Sequence, residues 1–302
     1  MSTPIIYSPH KIGLKRNSLD YLFVPLSFSS VVKSNPTADV YFLNVNDNFP
    51  VSTPGITDVD ATQFYSKACK PIRDCYKHLS TNQADFELFC MERFFVLKEF
   101  MAANAIDKAF LVETDVLVFE DLNSFIGCEG GISPEKSYLS ENKCISLGYV
   151  TLAYLEYYCN YIVSCYCDIE KFAKIESFYH KYREKGGMGG ICDMTFCDYI
   201  NKGMYGAERQ YATENISKIF KKCTGQDYIF DSFIGRDFII DLEAKIVMTE
   251  SYIDKKIIKD ISFENGKPFV SFDDNIRLQL ASLHCQGNAK GLMADFYVNT
   301  SF

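Results

Sequence analysis

The feature that most constrains this chain is the run at residues 109–121, Ala-Phe-Leu-Val-Glu-Thr-Asp-Val-Leu-Val-Phe-Glu-Asp. Apolar, β-branched and aromatic residues bounded by polar ones predict a buried strand at the centre of a parallel sheet. Because a buried carboxylate is costly without a partner, Glu113 and Asp115 need an explanation. In one, the strand ends there and both carboxylates lie at the carboxyl edge of the sheet, where open α/β folds bind ligands. In the other, they pair with a buried Arg or Lys.

The segments before this run predict the rest of an open sheet. Strand patterns alternate with helical patterns, which is typical of an α/β fold with a Rossmann-type, mostly parallel sheet flanked by helices. The expected elements are a strand at 4–7, a helix from 18 to about 33, a strand at 39–45, a turn-rich connection at 46–60, a helical stretch at 62–79 and a helix at 86–104.

The segments after this run are less regular. A run of glycines at 186–190 predicts a tight loop, and Asp193 follows it at the expected start of a short helix. The other expected elements are helices at 149–167 and 168–185, and strands at 227–231, 237–242, 245–249 and 268–272. With 302 residues and no low-complexity linker, we expect a single domain spanning residues 1–302.

Composition narrows the function classes. The chain is 47% hydrophobic with a formal net charge of −8, which indicates a globular protein and argues against a nucleic-acid binder held by phosphate contacts. Its 12 cysteines include no Cys-x-x-Cys pair, so we expect reduced thiols in a cytoplasmic protein instead of a zinc site or a disulfide framework. Residues 149–167 are too polar for a membrane span, so no transmembrane segment is expected.

Two motifs carry a resemblance to a known group. Glu113-Thr114-Asp115 follows a predicted strand, and His284-x-x-Gly287-x-x-Lys290 lies near the carboxyl end. Together they resemble the acid-x-acid signature and the late motif of GT-A fold glycosyltransferases, especially family 8. Asp193-Met194-Thr195 after the glycines resembles a motif of related bacterial surface-glycan enzymes. Two departures stand out: the first acid is Glu rather than Asp, and the Pro-Trp that often follows the lysine in family 8 is absent.

The resemblance implies a metal site. Asp115 would grip a divalent ion bound to the donor diphosphate, and His284 would complete its ligand set. Glu113 would reach either the metal or the ribose. Oxygen ligands suit Mg²⁺ or Mn²⁺, and an added imidazole favours Mn²⁺. Each acid could instead form a buried ion pair, and His284 could be a hydrogen-bonded core residue.

It also implies a donor site. Gly287 and Lys290 would meet the diphosphate, and Tyr7 and His10 would lie where the base and ribose are cradled. Arg93, on the preceding helix, would contact the donor or, as the alternative, pair structurally with Glu113.

One further residue would act on the acceptor side. Asp193 would be a general base in an inverting enzyme or orient donor hydroxyls in a retaining one, with an N-cap role as the structural alternative. Tyr149 or Tyr154 could offer a sugar-stacking ring, although core packing is favoured for this aromatic helix.

The expected function is therefore a metal-dependent glycosyltransferase, a hexosyl- or related transferase in surface-glycan synthesis. The donor would be a nucleotide-diphosphate sugar, with a UDP-sugar favoured, and the acceptor a saccharide or glycolipid. Residues 1–120 would form the nucleotide-sugar-binding half and 121–302 the acceptor-side half, which also carries the late metal and diphosphate motif. The protein would be cytoplasmic, with peripheral contact to the inner face of the membrane.

Two rival functions stay open at this point. One is a carboxylate-based hydrolase that uses Glu113 and Asp115 as its catalytic pair. Two residues that are separated by one position on a strand point the same way, and they lie closer than the roughly 5–9.5 Å that glycosidases need between their carboxyl groups. The other is a noncatalytic nucleotide-sugar-binding protein, for which the Glu at position 113 is the best support. A metal-free GT-A relative would leave His284 unexplained.

Overall fold

The computed structural model describes residues 2–10, 20–45, 51–141, 143–217, 219–231, 239–241, 246–247, 250–253, 256–259, 261–271 and 277–302. The helices are α1 (Asp20–Ser34), α2 (Thr62–Ala68), α3 (Lys70–Cys75), α4 (Ala84–Ala103), α5 (Leu152–Cys167), α6 (Ile169–Glu184), α7 (Asp193–Lys202) and α8 (Met293–Val298). The strands are β1 (Ile5–His10), β2 (Val40–Asn44), β3 (Ile56–Asp60), β4 (Lys108–Val112), β5 (Val116–Val118), β6 (Tyr138–Ser140), β7 (Cys144–Thr151), β8 (Glu214–Asn215), β9 (Ile219–Lys221), β10 (Asp227–Phe230), β11 (Ile239–Asp241), β12 (Ile246–Val247), β13 (Glu250–Ile253), β14 (Lys256–Lys259), β15 (Ile261–Glu264), β16 (Lys267–Ser271) and β17 (Arg277–His284).

Seven of the described strands form the main sheet, in the order β3–β2–β1–β4–β7–β6–β8. The first four are mutually parallel. Strand β7 is antiparallel to both β4 and β6, and β8 is parallel to β6. The order 3-2-1-4 is that of a Rossmann-type sheet. The predicted α/β fold with a mostly parallel sheet flanked by helices is therefore confirmed.

The main sheet has a hydrophobic core on each face. Successive side chains of a strand point to opposite faces, so Tyr7 packs in one core and Ile6 in the other. Helix α1 contributes Phe28 to the first core, where its ring centroid lies 4.6 Å from that of Tyr7. Helices α4 and α5 cover the second, with Phe94 and Tyr158 in contact at 4.2 Å between ring centroids. Burial on both faces accounts for the continuous apolar runs of β1 and β4.

The second sheet explains why the run at 109–121 does not form one strand. Strand β4 ends at Val112 in the main sheet, and β5 begins at Val116 in the other sheet. There, β5 pairs antiparallel with the end of β17, which also lies between β10 and β16. The run at 109–121, predicted as one buried strand, therefore forms two strands in different sheets. Glu113, Thr114 and Asp115 form the connection between the two sheets.

Two other boundaries differ from the sequence predictions. The expected connection at 46–60 contains strand β3, whose side chains are largely exposed and so lack an apolar signature. The helix expected at 149–167 begins only at Leu152, because residues up to Thr151 pair with β4 and β6 in strand β7. Residues 11–19 and 46–50, and the outer residues of the strands expected at 237–242 and 245–249, lie outside the described part of the chain.

The cysteines depart from the expectation in one place. Cys128 and Cys223 form a disulfide, with Cα atoms 5.2 Å apart, so the prediction of reduced thiols is wrong for this pair. It links the loop after β5 to the turn between β9 and β10. Ten described cysteines are free, among them the buried Cys159 and Cys165 of α5.

Helix α5 lies in the segment whose polarity argues against a membrane span. It packs within the second core, with rings such as Tyr154 and Tyr158 buried. Among the residues that the structure describes, no helix has both the length and the apolar character needed to cross a membrane.

Candidate functional site

The site is built on the connection between β4 and β5. The backbone N–H of Glu113 donates to the carbonyl of Ser146 on β7 at 2.8 Å, which extends the pairing of the main sheet by one residue. The chain then turns, with Val116 N–H donating to the Glu113 carbonyl at 3.2 Å. Glu113 and Asp115 therefore leave the carboxyl end of a parallel strand, the edge at which open α/β sheets bind ligands.

Pairing of β17 with β5 brings a histidine from the far end of the sequence to this turn. His284 lies opposite Val116 in the antiparallel register, and Cys285 N–H donates to the Asp115 carbonyl at 2.9 Å. As a result, His284 Nε2 lies 3.3 Å from Asp115 Oδ1 and 3.9 Å from Glu113 Oε2. One ligand atom from each of the three residues lies within 4.8 Å of the others.

A lysine faces the other oxygen of Asp115. Lys290 Nζ lies 3.1 Å from Asp115 Oδ2 and 4.5 Å from the ring centroid of Phe23 on α1. Burial alone would raise the pKa of Asp115, but the His284 imidazole and the Lys290 ammonium outweigh it and hold that pKa well below its usual value. Gly287, three residues earlier, is exposed and has φ of +63°, a conformation that glycine adopts without strain.

An arginine joins this turn to helix α7. Arg93 on α4 donates from Nη1 to Glu113 Oε1 at 2.6 Å and from Nη2 to Asp193 Oδ2 at 3.1 Å. Burial raises the pKa of the Asp193 carboxyl, and Arg93 opposes that shift. The pairing expected as the alternative role of Arg93 is therefore present. We use the name charged cluster for Arg93, Glu113, Asp115, Asp193, His284 and Lys290.

A glycine-rich loop sets the position of Asp193. A Cβ at Gly190 would lie 2.1 Å from the Leu79 carbonyl oxygen, so only glycine permits this close approach. Ile191 N–H donates to the same carbonyl at 2.8 Å. Helix α7 then starts with Cys192 as its N-cap, and Asp193 points instead to Arg93. The N-cap role considered for Asp193 is thus filled by its neighbour.

The structure does not bring every predicted residue to the charged cluster. The ring of Tyr7 is fully buried, and its hydroxyl lies 3.1 Å from Ser27 Oγ, which donates to the Val116 carbonyl at 2.6 Å. His10 is the last residue of β1 and lies opposite Asn44 of β2. The rings of Tyr149 and Tyr154, considered as sugar platforms, are buried in the two cores.

Two residues near the cluster were not predicted from the sequence as site residues. Phe23 lies beneath the Lys290 ammonium, and its place in an amphipathic pattern gave no reason to single it out. Cys144, at the start of β7, has its pKa raised to about 12 by burial, with the nearby Glu113 and Asp193 carboxylates adding to the effect. The sequence could have pointed to Cys144 only by marking it as the start of a strand.

Comparisons with known proteins give structural likenesses only. No protein-family model matches the sequence, and no curated protein matches it. Among solved structures, mouse xyloside xylosyltransferase 1 in its apo form aligns with 68% of this chain and 83% of its own, at 8% identity and a TM-score of 0.38. The galactosyltransferase LgtC in complex with donor and acceptor sugar analogs aligns with 65% of this chain and 69% of its own, at 13% identity and a TM-score of 0.32. Because both TM-scores lie below 0.5, these likenesses do not establish what this protein does.

The donor set of the cluster fits a divalent cation. Glu113 gives one oxygen to Arg93 and Asp115 gives one to Lys290, and in each case the other oxygen faces His284. Ligand atoms that share one ion at about 2.1 Å are separated by about 3–4 Å, close to the 3.9 and 3.3 Å between His284 Nε2 and the oxygens of Glu113 and Asp115. Two carboxylates and an imidazole are ligands that Mn²⁺ accepts.

Proposed function

We propose that this chain is a metal-dependent glycosyltransferase of GT-A type that uses a nucleotide-diphosphate sugar. The observation that carries the proposal is the convergence of Glu113, Asp115 and His284, with Lys290 beside them, at the carboxyl edge of a Rossmann-type sheet. They come from different strand ends and loops, and together they supply metal ligands and a cation for phosphate at one place.

The proposed metal ligands are Asp115, His284 and Glu113. A bound Mn²⁺ or Mg²⁺ would act as a Lewis acid that stabilises the charge developing on the leaving diphosphate. Lys290 adds a cation next to the same position, and the exposed backbone of Gly287 allows a phosphate to approach closely. Charge on the leaving group is thus met by groups that are already oriented, which lowers the cost of reorganisation in the reaction.

Arg93 and Asp193 are proposed to act on the sugar side. Arg93 holds the carboxylates of Glu113 and Asp193 in fixed positions and is also the residue expected to contact the donor. Because burial raises the pKa of Asp193, its carboxylate is a stronger base than an exposed one. It is proposed either to take a proton from the acceptor hydroxyl or to orient donor hydroxyls, according to the stereochemical outcome.

The remaining expectations enter as proposals that rest on the resemblance. They are a UDP-sugar donor, with His10 near its base and ribose, and transfer of a hexosyl or related group to a saccharide or glycolipid in surface-glycan synthesis. The fully buried ring of Tyr7 does not fit the donor role expected for it. Residues 1–120 would form the donor half, and residues 121–302 would form the acceptor half together with the late metal and diphosphate motif. A cytoplasmic location with peripheral membrane contact is also proposed, and the disulfide between Cys128 and Cys223 would be unusual in a reducing compartment.

The geometry weighs against the hydrolase alternative. Ligand oxygens of Glu113 and Asp115 lie within 4.8 Å of one another, whereas glycosidase carboxyl groups are about 5–9.5 Å apart. Asp115 is also paired with Lys290, and its lowered pKa disfavours the protonated form that a general acid needs. The noncatalytic alternative differs from the proposal only in turnover, so metal-stimulated hydrolysis of the donor distinguishes the two.

The test is thermal unfolding with UDP-, GDP- and CMP-sugars, each with and without Mn²⁺. A ligand that binds only the folded state at a hundredfold excess over Kd adds about 2.7 kcal/mol of stability. We expect one nucleotide class to shift the unfolding temperature only with Mn²⁺, and Asp115→Ala to abolish the shift. Asp74→Ala, which removes an exposed carboxylate paired with Lys70, is the control and should keep it. No shift with any of the donors in a folded protein would refute the proposal.

A further inference from the structure

A second feature of the chain is a cavity between helices α6 and α7. Its volume is about 400 Å³, within the range of about 300–1,000 Å³ typical of small-molecule sites. Helix α7 presents Met194, Asp198 and Lys202 to it, spaced four residues apart on one face. Its opposite face, which includes Phe196 and Ile200, is buried in the core. We use the name aromatic cavity for this space, which Phe178 and Tyr182 of α6 line on the other side.

Tyr182 is held as a fixed ring at this surface. A Cβ at Gly187 would lie 2.3 Å from the ring, so the glycine backbone packs directly against one face. The Tyr182 hydroxyl donates to the Met188 carbonyl at 2.7 Å, and Arg183 binds the Gly187 carbonyl. Tyr182 as a whole residue nevertheless remains 40% exposed. Such a ring can receive a ligand without losing further conformational freedom.

The charges around the cavity are balanced. Lys202 Nζ lies 2.7 Å from Asp198 Oδ2, and Lys143 Nζ lies 3.6 Å from Glu141 Oε2. Each of the two lysines that line the cavity therefore already faces a carboxylate, which offsets its attraction for an anion. Exposed rings together with paired polar groups suit an uncharged ligand that has both an apolar face and hydroxyl groups. A pyranose has this character, since its axial C–H bonds form a face and its hydroxyls lie around the edge.

The aromatic cavity and the charged cluster share the first turn of α7. Asp193 of the cluster and Met194 of the cavity are consecutive residues. On the other side, Lys143 of the cavity immediately precedes Cys144. Burial and the nearby Glu113 and Asp193 carboxylates raise the pKa of the Cys144 thiol. Cys192 and Met194, which flank Asp193 in the sequence, both line the cavity.

We propose that the aromatic cavity binds an uncharged saccharide as the acceptor, with a pyranose ring stacked on Tyr182. The role of this saccharide as an acceptor rests on the proposed transferase function. It adds the class of acceptor and a residue that selects it, which Asp193 and the metal ligands do not provide. The rings of Tyr149 and Tyr154 cannot take this part because they are buried.

The first experiment uses the absence of tryptophan from the chain. Tyr182→Trp introduces a single indole at the cavity, and its emission is followed during titration with methyl glycosides of glucose, galactose, mannose and N-acetylglucosamine. Ile169→Trp is the matched control, since it lies 86% exposed on the same helix at a distance of about 20 Å along the axis. Sorbitol, a polyol without a ring face, is the control ligand.

We expect a saturable change in emission with at least one glycoside for Tyr182→Trp, and none with sorbitol or for Ile169→Trp. No change with any of the four glycosides, or an equal change with sorbitol, would overturn the proposal. A second series of measurements tests the proposal even if Tyr182→Trp fails to fold. It uses saturation-transfer NMR to compare binding of the best glycoside by the wild type, Tyr182→Phe and Tyr182→Ala. Loss of the ring should weaken binding about tenfold, whereas Phe should retain it. Equal binding by the Ala variant would contradict stacking.

Failure of this inference is distinguishable from failure of the proposed function. The saccharide titrations need neither metal nor donor, whereas the Mn²⁺-dependent shift with a nucleotide sugar needs no acceptor. Donor binding without glycoside binding would refute the cavity alone. Glycoside binding without a donor response would refute the transferase and leave a saccharide-binding site.

Discussion

The charged cluster and the aromatic cavity lie on two sides of the first turn of α7, yet they are held in place by different means. In the cluster, hydrogen bonds between strands fix the backbone on both sides of Asp115, and each carboxylate faces a cation. The cavity is lined by side chains of two helices, α6 and α7, and by part of a glycine-rich loop. The paired Asp198 and Lys202 in its lining are exposed. A site that must hold charge is thus built on paired backbone, whereas a site that selects a neutral ligand is built on helix packing.

The largest expected contrast comes from making the same substitution in both regions. Asp115→Asn removes a proposed metal ligand and should lower the affinity for Mn²⁺, measured by titration calorimetry with UDP present, by more than about 100-fold, since even loss of a residue that only supports a ligand costs about 10–100-fold. Asp198→Asn makes the identical change at the cavity, where the carboxylate faces Lys202, and should leave that affinity unchanged. Equal Mn²⁺ affinities for Asp115→Asn and the wild type would exclude Asp115 as a ligand.

Removal of a cation should separate the two regions in stability. Arg93→Met leaves the part-buried Glu113 and the buried Asp193 without their shared partner, and we expect the free energy of unfolding to fall by about 2–3 kcal/mol. Lys202→Met removes the exposed partner of Asp198 and should cost at most about 0.5 kcal/mol. Urea unfolding measures both.

The comparison also has a rescue variant. Arg93→Lys keeps the positive charge but cannot reach two carboxylates in a fork, so it should recover only part of the loss. A loss in Arg93→Met no larger than that in Lys202→Met would show that the arginine does not hold the cluster together.

The two regions differ in how far the sequence predicts them. Apolar runs and helical periodicity identify β1, α1, β2, α4 and the edge where Glu113 and Asp115 emerge, because such patterns are local. Every residue of the charged cluster is also a candidate on sequence grounds. No local pattern predicts that these residues meet, because their meeting depends on the register of β17 against β5, which lie over a hundred residues apart and pair in a second sheet.

The aromatic cavity had no comparable signal. Tyr182 follows the ordinary pattern of an amphipathic helix, and the five residues at 186–190 look only like a loop. Contact between the Tyr182 ring and Gly187 is a matter of three-dimensional packing, which neither periodicity nor spacing encodes. The same limit applies to Tyr7, whose ring faces the core instead of the carboxyl edge.

Within the charged cluster, two carboxylates should respond to pH with opposite signs when metal is removed by a chelator. The folded-state pKa of Asp115 is lowered, so its contribution to stability is present above the unfolded value of about 3.9 and is lost as pH falls through the folded value. The folded-state pKa of Asp193 is raised by burial, so its contribution is present below about 3.9 and is lost as pH rises through the folded value.

Unfolding free energies of the Asn variants measure this contrast. Between about pH 3 and about pH 7, the deficit of Asp115→Asn relative to the wild type should grow, and that of Asp193→Asn should shrink. If the deficits of the two variants changed with pH in the same direction, the two carboxyl groups would share one environment. That result would contradict the different cations, Lys290 and Arg93, with which they pair.

The smallest effect tests whether Gly187 matters to the aromatic cavity only through Tyr182. In Gly187→Ala the added methyl would overlap the ring, so the ring must move and its hydrogen bond to the Met188 carbonyl must break, at a cost of about 1 kcal/mol. Saccharide affinity should fall about threefold, while the Mn²⁺-dependent donor shift stays unchanged. In a Tyr182→Ala background there is no ring to displace, so the same methyl should change neither stability nor affinity. A double-mutant cycle measures that coupling directly. Equal effects of Gly187→Ala in both backgrounds would mean that the glycine serves the loop alone, and the fixed ring would then need another explanation.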